Sequence, residues 1–487
     1  MKKAARFLFF TMILISLFVF VSWKKEDADY RSLVEKGDFQ KAECAIRKVM
    51  EEDTSLTVED KIQLGFEIDR MHRIRLDFIK TENEILEYVK TYIPEATIAD
   101  LKKWEDDASL EFMVIDGKKM YFKNAAPNIF RVNKDAKAIK IKVAAAKAET
   151  TRVEAAETFP LDDHIQSIID KSVKTKKRYV NPVTMKINYT LTVNPNAVPD
   201  GKMIRCWIPY PREITNRQTN IKLIKTQPVK FILADNDATL QRTIYFQKPA
   251  QKDSATVFLV EYTYTQNGVF AGIDVHKVLP TPSPDEWAPF LGEVPPHIVF
   301  TDELKQLSPT IIGSETNPYL KARKIFEWVT TNIPWASARE YSTIRNLSMY
   351  AFANRHGDCG IQHLLFITLC RLNGIPARWQ SGWEFKPPTD SMHDWSEIYI
   401  EPYGWVPADV TYGLKESPDE THKWFYLGGM DSYRLIFNDT ISDNFFPAKI
   451  YPRSETVDSQ RGEVEWEGGN LYFDQWDWNM QYEVVVK

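Results

Sequence analysis

Four cysteines in 487 residues are too few for the disulfide framework that holds small exported domains together. Long basic runs are missing as well, and the formal net charge is −5, so nucleic acid is not expected as a partner. No internal repeat or low-complexity tract stands out, which speaks against solenoids and extended disordered segments. What remains is an ordinary globular composition, 44% hydrophobic and 26% charged, with length for two to four domains.

The N-terminus carries a more specific pattern. A basic start, Met1-Lys-Lys-Ala-Ala-Arg6, precedes an apolar run from Phe7 to Trp23 that ends at Lys24-Lys25. This is the layout of a secretory signal. No Ala-x-Ala cleavage pattern follows, so residues 1–23 read as either a signal peptide or an uncleaved anchor. No cysteine directly follows the run, which argues against a lipid-modified cysteine. The expected location is extracytoplasmic, with membrane contact only through this segment if it is uncleaved.

Residues 26–135 read as mainly helical. Gly37 to Met50 has apolar residues at helical spacing, and Thr57-Val-Glu-Asp60 resembles a capped helix start. Two further helices are expected over Glu82–Ile93 and Thr97–Trp104. An Asp-Gly turn inside Phe112–Phe122 then predicts a β-hairpin. That order could suit a winged helix, but the export signal and the lack of a basic face favour a structural role. Residues 136–177 shift to Ala, Lys, Glu and Thr, the composition of a linker or docking arm. From 178 to 275 the apolar period drops to two and predicts a β-sandwich. A Pro-rich connection follows, then helix over 302–334. Residues 416–487 form an aromatic, β-rich extension expected to pack on the preceding core.

Two cysteines lie close together, in Asn354-Arg-His-Gly-Asp-Cys-Gly360 and in the apolar segment after it. Ile361, Leu364, Leu365, Leu369 and Leu372 form the stripe of a helix buried on one face, with Gly374 and Pro376 ending it. Cys359 and Cys370 are then about 16 Å apart along one helix, beyond the roughly 7 Å that a disulfide spans. Cys359 falls in the first turn, where free backbone N–H groups and the helix dipole favour a thiolate. Asp358 opposes this unless its carboxylate faces elsewhere, for example as the N-cap. Cys370 sits among leucines and reads as core.

A nucleophilic cysteine needs a base, and the base an orienting acceptor. His393 precedes a strand over Asp394–Glu401, and Asp409 follows a second strand after a Pro402–Gly404 loop. Simple pairing around that loop puts Asp409 opposite Glu397, so a bulge or strong twist is needed to bring it to His393. Asp394 is the poorer partner for His393, because strand neighbours face opposite sides. His356, Cys359 and His363 do not make a metal site, since only two have helical spacing and structural zinc needs four ligands. Neither metal nor cofactor is expected.

Gly357-Asp-Cys-Gly360, Leu372-Asn-Gly-Ile-Pro-Ala-Arg378, His393-Asp-Trp-Ser-Glu397 and Gly404-Trp-Val-Pro-Ala-Asp409 together resemble the transglutaminase-like superfamily over roughly residues 300–415. The resemblance implies an α+β, papain-like core, preceded here by the β-sandwich and the helical N-terminal region. It implies Cys359 as nucleophile, His393 as base and Asp409 as its orienter. It also implies an upstream side chain that helps hold the oxyanion, for which Trp335 and then Tyr341 are the candidates. Trp383 and Trp395 are candidate walls of the substrate cleft. The implied activity is a cysteine-dependent hydrolase or transamidase on an amide of a peptide or protein, cell-wall material included, with hydrolysis favoured. The competing reading is a secreted scaffold that keeps the fold and binds protein or carbohydrate without catalysis.

Overall fold

The computed structural model describes residues 30–150, 159–282 and 285–486. The apolar run at residues 7–23 lies outside them, and with it the signal-or-anchor expectation. Among the described residues no helix is long and apolar enough to cross a membrane.

The N-terminal helices start where the sequence supplies caps. Thr57 and Asp60 exchange hydrogen bonds at the head of Val58–Asp77, and Thr81 with Glu84 does the same for Glu82–Lys90. Each box satisfies two backbone donors that a helix start leaves open. The hairpin Phe112–Ile115 and Lys118–Phe122 turns through Asp116 and Gly117, both at positive φ, as a two-residue turn requires. A short strand, Phe78–Lys80, joins it as an unanticipated third member. Phe39, Ile46, Ile74, Leu101, Tyr121 and Ile129 fill the core of this region.

The sandwich is built as expected from alternating strands, but it recruits the chain's end. Tyr179–Val193 lies between Thr256–Phe270 and the C-terminal strand Trp476–Val486. In the facing sheet, Met203–Pro209 lies between Thr243–Pro249 and Glu463–Trp466. Ile187, Leu191, Cys206, Phe246 and Phe258 interlock between the two. The extension at 416–487 is therefore divided rather than packed on the core as one piece. Arg434–Asn438 joins the core sheet, while the last strands complete the sandwich. The reason is hydrophobic: Trp476 is fully buried only between the sandwich sheets.

The core places helices on one face of an antiparallel sheet ordered Gly404–Ala408, Thr389–Ile400, Ala377–Lys386, Arg434–Asn438. Trp383, Phe385, Leu435 and Phe437 project from this sheet into the sandwich core. At its centre runs the helix Cys359–Leu372, whose residues from Gly360 to Arg371 are all buried. The stripe predicted one buried face; the helix is instead enclosed, with Pro318–Asn332 and Leu347–Asn354 covering the other sides. The expected arm is represented by Leu161–Thr175, which docks Ile165, Ile168 and Ile169 into the same core. Residues 151–158 of that arm lie outside the described residues.

Candidate active site

Cys359 is the first residue of its helix, held there by two neighbours. Asp358 caps the helix, accepting the Ile361 N–H at 3.2 Å, and it also accepts the Tyr341 hydroxyl at 2.8 Å. Burial raises its carboxyl to about 7. Gly360 is needed for space, because a Cβ there would run into the Tyr341 hydroxyl and the Asp394 carboxylate.

His393 and Asp409 meet across the sheet, with His393 Nε2 and Asp409 Oδ2 2.8 Å apart. No bulge is required. Ser396 pairs with Ala408 and Ile400 with Gly404, so Glu401–Tyr403 forms the loop and Gly404 already belongs to the strand. This moves the returning strand two positions from the expected register, which puts Asp409 opposite Trp395 and within diagonal reach of His393. Asp409 is fully buried. Burial alone would raise its carboxyl; His393, Arg434 and His363 together hold it well below the usual range. Arg434 Nη1 lies 3.2 Å from Asp409 Oδ2, and the same guanidinium pairs with Asp431 at 2.9 Å.

His363, one turn along from Cys359, is a strut. Its Nε2 accepts the Val410 N–H at 3.0 Å, so its Nδ1 donates to the Cys359 carbonyl at 2.7 Å. Burial lowers its pKa to about 4, which keeps the ring neutral. Its ring centroid lies 6.4 Å from that of His393, so His393 stands over the opening turns of the helix.

Cys359 opens into a cleft of about 290 Å³ lined in part by Trp335, Tyr341, Asp394, Asp458 and Gln460. Trp335 is 41% exposed and lies under the Arg131 guanidinium, 4.9 Å from its ring centre. Tyr341 also lines the cleft, but its hydroxyl is engaged by Asp358 and, at 3.3 Å, by Asp394. Trp383 and Trp395 do not line it, which corrects the expectation for both. The Trp383 indole donates to the Gln460 carbonyl inside the sandwich core, and Trp395 donates to Gln380 inside the cluster around the Cys359 helix. Their strand positions turn both rings into packed interiors.

Asp394 serves Cys359 rather than His393. Facing away from His393 as expected, its Oδ2 accepts the Cys359 S–H at 3.3 Å. Burial, then the Asp394 and Asp358 carboxylates, push the Cys359 thiol well above its ordinary value. Arg434 and Asp458 were also missed, because both lie in a tail whose strand pairing no local signal predicts. All four cysteines are free: Cys44 is exposed and Cys206 lies in the sandwich core.

The Transglutaminase-like superfamily profile matches residues 305–410. No curated protein matches the chain. Among solved structures, a candidate cysteine protease from Cytophaga hutchinsonii is similar at 18% identity and TM-score 0.45, over 63% of this chain and 93% of that one. The periplasmic domain of TgpA from Pseudomonas aeruginosa is similar at 12% identity and TM-score 0.26, over 53% of this chain and 94% of that one. A candidate protease from Parabacteroides distasonis is similar at 11% identity and TM-score 0.22, over 54% of this chain and 46% of that one. Residues 305–410, with the buried cysteine helix and the sheet that carries His393, are a transglutaminase-like superfamily core.

Proposed function

We propose that the chain is an exported cysteine-dependent amidase that cleaves peptide or protein amides through a thioester. The observation that carries this reading is the company Cys359 keeps. It starts a buried helix in the same core that holds a His393–Asp409 pair at 2.8 Å. With Nε2 engaged by Asp409, Nδ1 is the His393 atom that would take the thiol proton. Transfer of the thiol proton to Nδ1 frees Sγ to attack the carbonyl carbon, and Asp409 steadies the imidazolium. Backbone N–H groups at the helix start face the developing oxyanion, with Trp335 at the cleft edge as the side chain free to assist. His393 then returns the proton to the leaving amine. The thioester is resolved by water, which prevails over an amine unless a site positions that amine. Export is supported by the basic start and apolar run at residues 1–23.

Incubating the purified chain with a peptide library, with and without an added primary amine, tests the proposal. Amine-independent cleavage that disappears in Cys359→Ala is expected. Incorporation of the amine would instead make the chain a transamidase. Peptide binding unchanged by Cys359→Ala, with neither product formed, would leave the scaffold reading.

A further inference from the structure

We propose that Asp394 is a positioning residue that withholds the Cys359 proton from His393, so that the resting nucleophile is held as a guarded thiol. The inference rests on the reading of Cys359 as nucleophile, but its test requires no turnover.

The geometry gives the thiol proton an acceptor other than His393. Cys359 Sγ lies 3.3 Å from Asp394 Oδ2, and Tyr341 Oη lies 3.3 Å from the same oxygen. Gln460 Nε2 donates to Asp394 Oδ1 at 2.8 Å, which fixes the carboxyl group in place. As long as Asp394 is ionised, it draws the S–H towards itself. A thiolate beside it would face an uncompensated like charge.

Release is built into the same cluster. Asp458 lies within hydrogen-bonding range of Asp394; burial raises both carboxyls, and of the two Asp458 raises Asp394 further while Asp394 lowers Asp458. Asp458 Oδ1 is satisfied by Asn438 at 2.7 Å and the Ser459 N–H at 2.9 Å, whereas Oδ2 is buried with no donor. Two carboxyls that face each other without a donor between them share a proton. When that proton sits on Asp394, the carboxyl no longer repels a thiolate, and the S–H proton can pass to His393 Nδ1. The other charges around the set are Asp358 at the helix cap, Glu340 and Glu455, both paired with Arg461, and Arg453, which donates to the Asp458 carbonyl and lowers the Asp458 carboxyl. Among the described residues no cation forms an ion pair with Asp394 itself.

The rate of alkylation of Cys359 by iodoacetamide, followed across pH by mass spectrometry of the Cys359 peptide, separates the cases. Exposed Cys44 is then read independently. Asn at 394 keeps the shape and offers an N–H to sulfur, so Asp394→Asn is expected to react at least about tenfold faster at pH 7, with its pH profile moved to lower pH. Asp394→Ala reads the same sign if the Asn variant does not fold. In Asp458→Asn the new amide donates to Asp394 and keeps it ionised, so its rate is expected at or below that of the parent. An Asp394 variant that reacts no faster, or an Asp458→Asn variant that also accelerates, overturns the proposal. Absence of peptide cleavage by the parent chain, with the alkylation rates as expected, would count against the amidase reading alone.

Discussion

Arg434 is fully buried with its guanidinium between Asp431 and Asp409, over the rings of Tyr412 and Trp395. Removing one partner of a buried ion pair costs roughly 3–5 kcal/mol, because the charge left behind stays unpaired. Arg434→Met is therefore expected to lose about that much stability in denaturant melts. It should also move the acid limb of activity to higher pH as Asp409 becomes easier to protonate. Asp409 itself sets a pH signature. Its folded pKa is depressed, so its contribution is full above the unfolded value near 4 and is lost as pH falls below it. Asp409→Asn should flatten the acid-unfolding curve in that range, read by circular dichroism against pH. Cys359, His393 and Asp409 were legible because each sits in a short block whose neighbours constrain it. Arg434, Asp394 and Asp458 were not, because what makes them matter is the strand that arrives beside them.

The helix Cys359–Leu372 was legible in nearly its full extent, from the Asp358 cap to Gly374 at φ +74. Its enclosure on all sides was not, since periodicity reports a stripe and not what covers the other faces. Register was the weaker inference between strands. A loop one residue earlier than expected moved the pairing by two and removed the need for a bulge. Two substitutions test the helix start. Gly360→Ala is expected to cost about 1–3 kcal/mol by overpacking against Tyr341 and Asp394, measured by thermal unfolding. Asp358→Asn keeps an N-cap acceptor without a buried ionisable group. The carboxyl of Asp358 is raised to about 7, so it penalises folding progressively between the unfolded value near 4 and that pH. The variant should gain about 1 kcal/mol or more at pH 7, a gain that vanishes at pH 4.

Across the whole molecule, the N-terminal helical region reaches the rim of the cleft. Asn128 exchanges two hydrogen bonds with the Ser337 backbone, at 2.8 and 3.0 Å, and Asp77 accepts the Glu340 N–H at 3.0 Å. Arg73 donates to the Arg453 carbonyl at 3.0 Å, on the opposite side of the cleft. Sequence reading gave this region a structural role without a place. Long-range side-chain pairs of this kind leave no local pattern. Asn128→Ala is expected to raise amide exchange in residues 334–345 by an order of magnitude or more, since the partly buried backbone groups at Ser337 lose their partner. An unchanged exchange rate would make the contact incidental.

Pairing of Asn479 with Thr190 sets the order in which the chain can assemble. The sandwich needs the strand Trp476–Val486, so its hydrophobic interior cannot close until those residues have emerged. Contacts this distant in sequence form late and slowly. During synthesis the core around the Cys359 helix would then form against an unfinished neighbour. A polypeptide that stops early has nowhere to bury the sandwich face of that core. Synthesis through Trp476–Val486 thus becomes a condition for a stable cleft, and fragments ending before Trp476 should be digested by protease under conditions where the full chain survives.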